Sequence, residues 1–116
     1  MIHGSLARAN AGKVIGNVRR TTNFLERLVG LLGAKGLDKD EAILISPCSS
    51  VHTIGMRFAI DVLFLDHQYR ILKVVKSLKP WRFAGAKGCK MVVELAANSI
   101  DGLNVSTGQQ LEWRNA

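Results

Sequence analysis

Residues 13–20 (Lys-Val-Ile-Gly-Asn-Val-Arg-Arg) read as a short strand entered from a turn at Gly12. From Thr21 the period changes. Phe24, Leu28, Leu31 and Leu32 recur at helical spacing, and Leu25 and Val29 widen the apolar stripe. Asn23, with Glu26 three places later, resembles a capping box, and Gly33 or Gly36 closes the segment in a left-handed conformation. This predicts one main helix near residues 22–33. Beyond it the chain becomes extended. Residues 42–46 form a β-branched run stopped by Pro47. Residues 58–65 are apolar on both faces except for Asp61, as a central strand requires. Asp66-His67-Gln68 is a turn from which residues 69–77 return as a hairpin partner. Residues 90–95 and 109–113 supply two more strands, with a short helical turn near 98–102 between them.

Several short strands with one helix inserted early define an α+β class: a single β-rich domain over residues 1–116, its mostly antiparallel sheet curled or barrel-like. Composition leaves that class in place. With 47% apolar and 22% charged residues, a chain of 116 residues is an ordinary globular domain. Two cysteines 41 positions apart, with no Cys-x-x-Cys, exclude a disulfide framework and read as reduced thiols. The longest stretch without Asp, Glu, Lys or Arg, residues 42–56, contains Pro47, three serines and His52, which is no membrane span. Met1 to Arg8 lacks the apolar core of a secretory signal, so a cytoplasmic protein with no membrane partner is expected.

The run Pro47-Cys48-Ser49-Ser50-Val51-His52-Thr53-Ile54-Gly55-Met56-Arg57-Phe58-Ala59-Ile60-Asp61-Val62-Leu63-Phe64-Leu65-Asp66 is distinctive. It resembles the signature of a prokaryotic family known as domain of unknown function 192. Glu26-Arg27 with Gly30-Leu31-Leu32-Gly33, Pro80-Trp81-Arg82, Glu94-Leu95-Ala96-Ala97 and Gly102-Leu103 followed by Gly108 extend the likeness over nearly the whole chain. The chain departs from the pattern at Ala59, where the family usually has proline, and at Gln109, where an aspartate is common. The resemblance implies a compact β-rich domain bearing a helix; it implies no activity and no catalytic residues.

Chemistry concentrates in a few places. Cys48, His52 and Met56 are spaced four apart, and all three are soft or borderline metal donors. On a helix they would converge; on an extended segment they share a face but lie about 13 Å apart. Val51, Thr53 and Ile54 favour strand, and Pro47 and Gly55 are helix breakers, so no metal and no other cofactor is expected. Cys48 as thiolate and His52 as base, oriented by Asp61 or Asp66, would make a thiol enzyme, against the same distance objection. Asp61, between Ile60 and Val62, is expected to be buried and hydrogen-bonded, as a structural anchor or as a base in a cleft.

The net charge of +7 favours acidic partners. Arg70, Lys73, Lys76, Lys79, Arg82, Lys87 and Lys90 follow one another with no acidic residue between Asp66 and Glu94, interleaved with Tyr69, Trp81 and Phe83. Such a ribbon fits a nucleic-acid surface. It equally fits a hairpin edge guarded by lysines, since the three-residue spacing alternates faces on a strand. The preferred expectation is a binding or accessory protein for a small ligand or a protein, with a pocket lined by Cys48, His52 and Met56 and with Trp81 and Arg82 opposite. A Cys48/His52 enzyme and an electrostatic nucleic-acid binder are the alternatives.

Overall fold

A computed structural model describes residues 1–9, 11–23 and 40–116. Its strands are β1 (Ile2–Arg8), β2 (Lys13–Arg20), β3 (Glu41–Ile45), β4 (Ser50–His52), β5 (Ile60–Leu65), β6 (Ile71–Leu78), β7 (Phe83–Gly85), β8 (Met91–Ala96) and β9 (Leu111–Asn115). A single 3-10 turn, Ile100–Gly102, separates the last two. Seven strands form one sheet in the order β6-β5-β8-β3-β2-β1-β9, while β4 and β7 pair as a separate ribbon. All pairs are antiparallel except β2 with β3. The two ends of the order meet. Arg70 bridges Gln110, and the Ile71 N–H donates to the Gln109 carbonyl at 2.8 Å while the Leu111 N–H donates to that of Tyr69 at 3.0 Å. This seam curls the sheet into a half-barrel.

The central strands β3, β5 and β8 are buried on both faces, so their alternating side chains feed two apolar clusters. Inside the curl lie Leu6, Val18, Leu44, Leu63, Val93 and Leu95. On the opposite face Ile43, Ile45, Ile60, Val62, Phe64 and Val92 pack with Val51 of β4 and, at the margin, Ala84 of β7. The ribbon is thus a flap over the second face, and that is what positions the site described below. β6, one end of the order, exposes Lys73 and Lys76, cations that discourage edge-to-edge pairing.

The expected α+β class is corrected. Strands account for 54% of the described residues and helical structure for 3%, all of it in the 3-10 turn. The class rested on one helix near 22–33, of which residues 24–33 lie outside the described residues, while Thr22 and Asn23 are not helical. Physically, one helical stripe in the sequence is too little to set the class. The described chain covers its sheet by curling and by the β4–β7 flap, using β-branched segments rather than a helical layer. The extended segments match more closely, with β2 spanning residues 13–20 as expected and β5 lying between β6 and β8. The Asp66 turn also forms, its Oδ1 accepting from the N–H groups of Gln68 at 2.8 Å and Arg70 at 3.0 Å. β1 has no clear periodicity, because Gly4 and Ser5 interrupt it. Gly4 is there for space: a Cβ would lie 2.5 Å from the Arg114 carbonyl oxygen and 2.7 Å from Trp113 Cη2. Among the described residues no helix is long and apolar enough to cross a membrane.

Candidate functional site

Thr53 builds the site. Its side chain is fully buried, and its Oγ1–H donates to the Lys79 carbonyl at 2.6 Å while Oγ1 accepts the Arg82 N–H at 2.9 Å. Its backbone N–H donates to the Arg82 carbonyl at 2.9 Å, and its own carbonyl accepts from Trp81 at 3.0 Å and Met56 at 3.2 Å. The last bond closes the turn Thr53-Ile54-Gly55-Met56, where Gly55 has the positive φ of 83° that a type II turn needs at its third residue. One threonine therefore locks the segment after β4 onto the turn before β7. β4 and β7 continue the contact in register, with His52 opposite Phe83 and Val51 opposite Ala84.

This lock brings His52, Ile54, Trp81, Arg82 and Phe83 onto one end of the ribbon. Trp81 is 63% exposed and Phe83 74%, the two most solvent-accessible large apolar side chains among the described residues. The exposed His52 ring lies 6.1 Å from that of Phe83, tilted by 52°. Trp81 also adopts a φ of 64°, a left-handed conformation that costs a bulky side chain of order 1–2 kcal/mol. An aromatic held in a strained conformation and turned to water is the reverse of what folding alone favours.

Cations flank the aromatics in sequence. Residues 42–60 and 67–93 contain no carboxylate and hold Arg57, Arg70, Lys73, Lys76, Lys79, Arg82, Lys87 and Lys90. Three of these are engaged elsewhere. Arg70 binds the seam through the Gly108 carbonyl at 3.1 Å, Lys73 donates to the Gly85 carbonyl at 3.0 Å, and Lys76 pairs with Asp101 at 2.7 Å. Lys73 and Lys76 thus point to different partners, as three-residue spacing on a strand requires. Arg57, Lys79, Arg82, Lys87 and Lys90 are all exposed and make no ion pair among the described residues. Among the described residues the Arg82 guanidinium hydrogen-bonds only the carbonyls of Pro80 and Trp81.

The remaining expected site residues lie elsewhere. Cys48, half-buried just after the cis Ser46–Pro47 bond, donates its thiol to the Ser50 carbonyl at 3.0 Å and packs against the second-face cluster. Met56 is buried within that cluster, whereas His52 points to solvent. No hydrogen bond joins His52 to Cys48 or to Asp61. The segment presents His52 to solvent, while Met56 is buried and Cys48 half-buried against the second-face cluster. Asp61 is fully buried on the inner face, its Oδ1 accepting from Ser77 N–H at 2.8 Å and its Oδ2 from Ile100 N–H at 3.0 Å. It ties β6 and the 3-10 turn to β5. Burial pushes up the pKa of the Cys89 thiol, which donates to the Met91 carbonyl at 3.2 Å.

Two features escaped the sequence. Glu94 is 6% exposed on the second face of β8, between Ile43 and Val62, and burial pushes its pKa up to about 7. Its signal was the doubly apolar strand around it, the same signal that marked Asp61. A cavity of about 280 Å³ opens where Val14, Ile15, Asn17, Asp40, Leu95 and Leu103 meet. It falls just short of the ~300–1,000 Å³ of small-molecule pockets.

Fold and site together define a curled β half-barrel carrying an aromatic and basic β-ribbon. Over residues 6–113 the chain matches the model of the DUF192 family, described as "Uncharacterized ACR", and it belongs to that family. A UPF0127 protein of Pyrococcus furiosus is 37% identical over 102 residues, covering 83% of this chain and 85% of that one. A UPF0127 protein of Thermococcus sibiricus is 31% identical over 115 residues, covering 93% and 73%. The fold is similar to the crystal structure of a putative transcription regulator from Sinorhizobium meliloti, with a TM-score of 0.80 at 19% identity over 97% of this chain and 92% of that one. It is also similar to that of a protein of unknown function from Novosphingobium aromaticivorans, with a TM-score of 0.73 at 17% identity over 96% and 84%.

Proposed function

We propose that this chain is a binding protein whose recognition surface is the Trp81–Phe83 end of the β4–β7 ribbon and whose partner is polyanionic. The observation that supports it most is the pairing of exposed Trp81 and Phe83 with exposed cations that make no ion pair among the described residues. His52 and Arg82 belong to this surface, while Cys48 and Met56 support it from beneath by packing in the second-face cluster. A thiol-enzyme role for Cys48 draws no support from a thiol turned to the Ser50 carbonyl and a histidine turned to solvent.

Immobilised heparin tests the reading. Any protein of charge +7 is retained to some degree, so location has to be separated from charge. Arg82→Gln and Lys13→Gln each remove one exposed cation, the first on the ribbon and the second at the start of β2. Arg82→Gln should elute at clearly lower salt than Lys13→Gln. Equal elution of the two variants would show that retention is bulk charge, and the reading would fall.

A further inference from the structure

Resting on that reading, we infer that the polyanion is single-stranded nucleic acid, held by base stacking on the ribbon aromatics and by phosphate contacts to Arg57, Lys79, Arg82 and Lys87. Cations alone would serve any polyanion, so the aromatics decide the class. Trp81, Phe83 and His52 offer ring surfaces to water within one short ribbon, two of them 6.1 Å apart. A sulfated sugar or an acidic peptide has no flat π-face to place on them. A nucleobase does, and stacking on it is indifferent to base identity. A duplex hides those faces within its own stack, whereas a single strand leaves them open.

The strained backbone of Trp81 fits the same purpose. Thr53 accepts the N–H groups of Trp81 and Arg82, the first on its carbonyl and the second on its hydroxyl, and so fixes the backbone that carries the indole before any ligand arrives. The backbone share of the ordering cost is then met in the free protein rather than at binding. Arg82 follows immediately, exposed, its guanidinium bound among the described residues only to the carbonyls of Pro80 and Trp81, which leaves it able to take a phosphate oxygen.

The test uses the full chain carrying Trp113→Phe, so that Trp81 is the sole tryptophan. It is titrated with a twelve-nucleotide oligothymidylate, a mixed-sequence duplex of that length, a heparin fragment and poly-glutamate. Expected are quenching of Trp81 by the single strand, duplex binding at least tenfold weaker, and a slope of log K against log salt of about −3 for four phosphate contacts. Phe83→Ser should weaken single-strand binding about tenfold and leave the slope unchanged, while Arg82→Gln should reduce its magnitude by about 0.7. Trp81→Gly, which suits a φ of 64°, gives a second stacking variant that keeps the turn intact, followed by retention on immobilised oligothymidylate. Equal or tighter binding of the duplex, or equal quenching by poly-glutamate, would overturn the inference. Heparin binding that depends on Arg82 without single-strand binding would overturn it too while leaving the polyanion reading standing. Binding of none of the four would end both.

Discussion

Asp61 is the group whose removal the structure prices most clearly. Its carboxylate is fully buried and its two oxygens accept one backbone N–H each, Ser77 from β6 and Ile100 from the 3-10 turn. Asp61→Ala strips both donors of their acceptor. A hydrogen bond to a charged acceptor contributes about 1.5–3 kcal/mol, and a buried donor left unmade costs about 1–3 kcal/mol. The Ile100 N–H is buried and has no route to water, while the part-buried Ser77 N–H recovers some solvation. Removing a buried carboxylate also returns part of its desolvation cost. The balance is a loss of about 3 kcal/mol. With an unfolding entropy of about 2.1 cal/mol/K per residue, the melting temperature of this 116-residue chain should fall by about 12 °C. Asp61→Asn retains one acceptor and should lose roughly half as much. Urea unfolding of the three proteins measures the loss, and amide exchange at Ile100 and Ser77 should quicken specifically. A melting curve for Asp61→Ala within about 0.5 kcal/mol of the parent would refute the anchor.

Glu94 supplies a pH signature. Its folded pKa of about 7 stands above the ordinary 4.5, so the folded state holds the proton more tightly and stability falls as pH rises from about 4.5 to 7. Relative to the parent, Glu94→Gln should gain up to about 3 kcal/mol in urea melts between pH 4.5 and pH 8; a pH-independent difference would contradict this. In native protein Cys48 should alkylate well before Cys89, which is 3% exposed and has a raised pKa, and mass spectrometry of iodoacetamide-treated protein reads the order. Gly4→Ala should cost about 1–3 kcal/mol in thermal melts, because the new methyl meets Trp113 and the Arg114 carbonyl.

The sheet was legible wherever hydrophobic burial acts on a run of residues. β2, β5 and β8 each carry enough consecutive apolar or alternating positions to declare a strand, and the one charge inside residues 58–65 marked Asp61 as buried. Glu94 went unnoticed because it shares a strand face with Lys90, and two charges on that face outweigh Val92 between them and read as a wet face. Only the second-face cluster makes that position dry. The ribbon was legible in its residues but not in its geometry. β4 and β7 have three residues each, too few to show a period, and their pairing is locked by the non-local hydrogen bonding of Thr53 across 26 to 29 positions. Trp81 and Arg82 could be singled out as unusual, but no pattern shows that Thr53 ties their backbone to the segment after β4. The α+β class erred by giving one periodic stretch the weight of a layer.

The central claim is that recognition occurs at one end of the β4–β7 ribbon, and amide chemical-shift mapping in the isotope-labelled protein tests it most directly. Titration with oligothymidylate should shift the amides of residues 52–57 and 79–87 and leave β1, β2 and β9 unmoved. Shifts spread evenly over the exposed lysines and arginines, or clustered at the cavity beside Asn17 and Asp40, would contradict it.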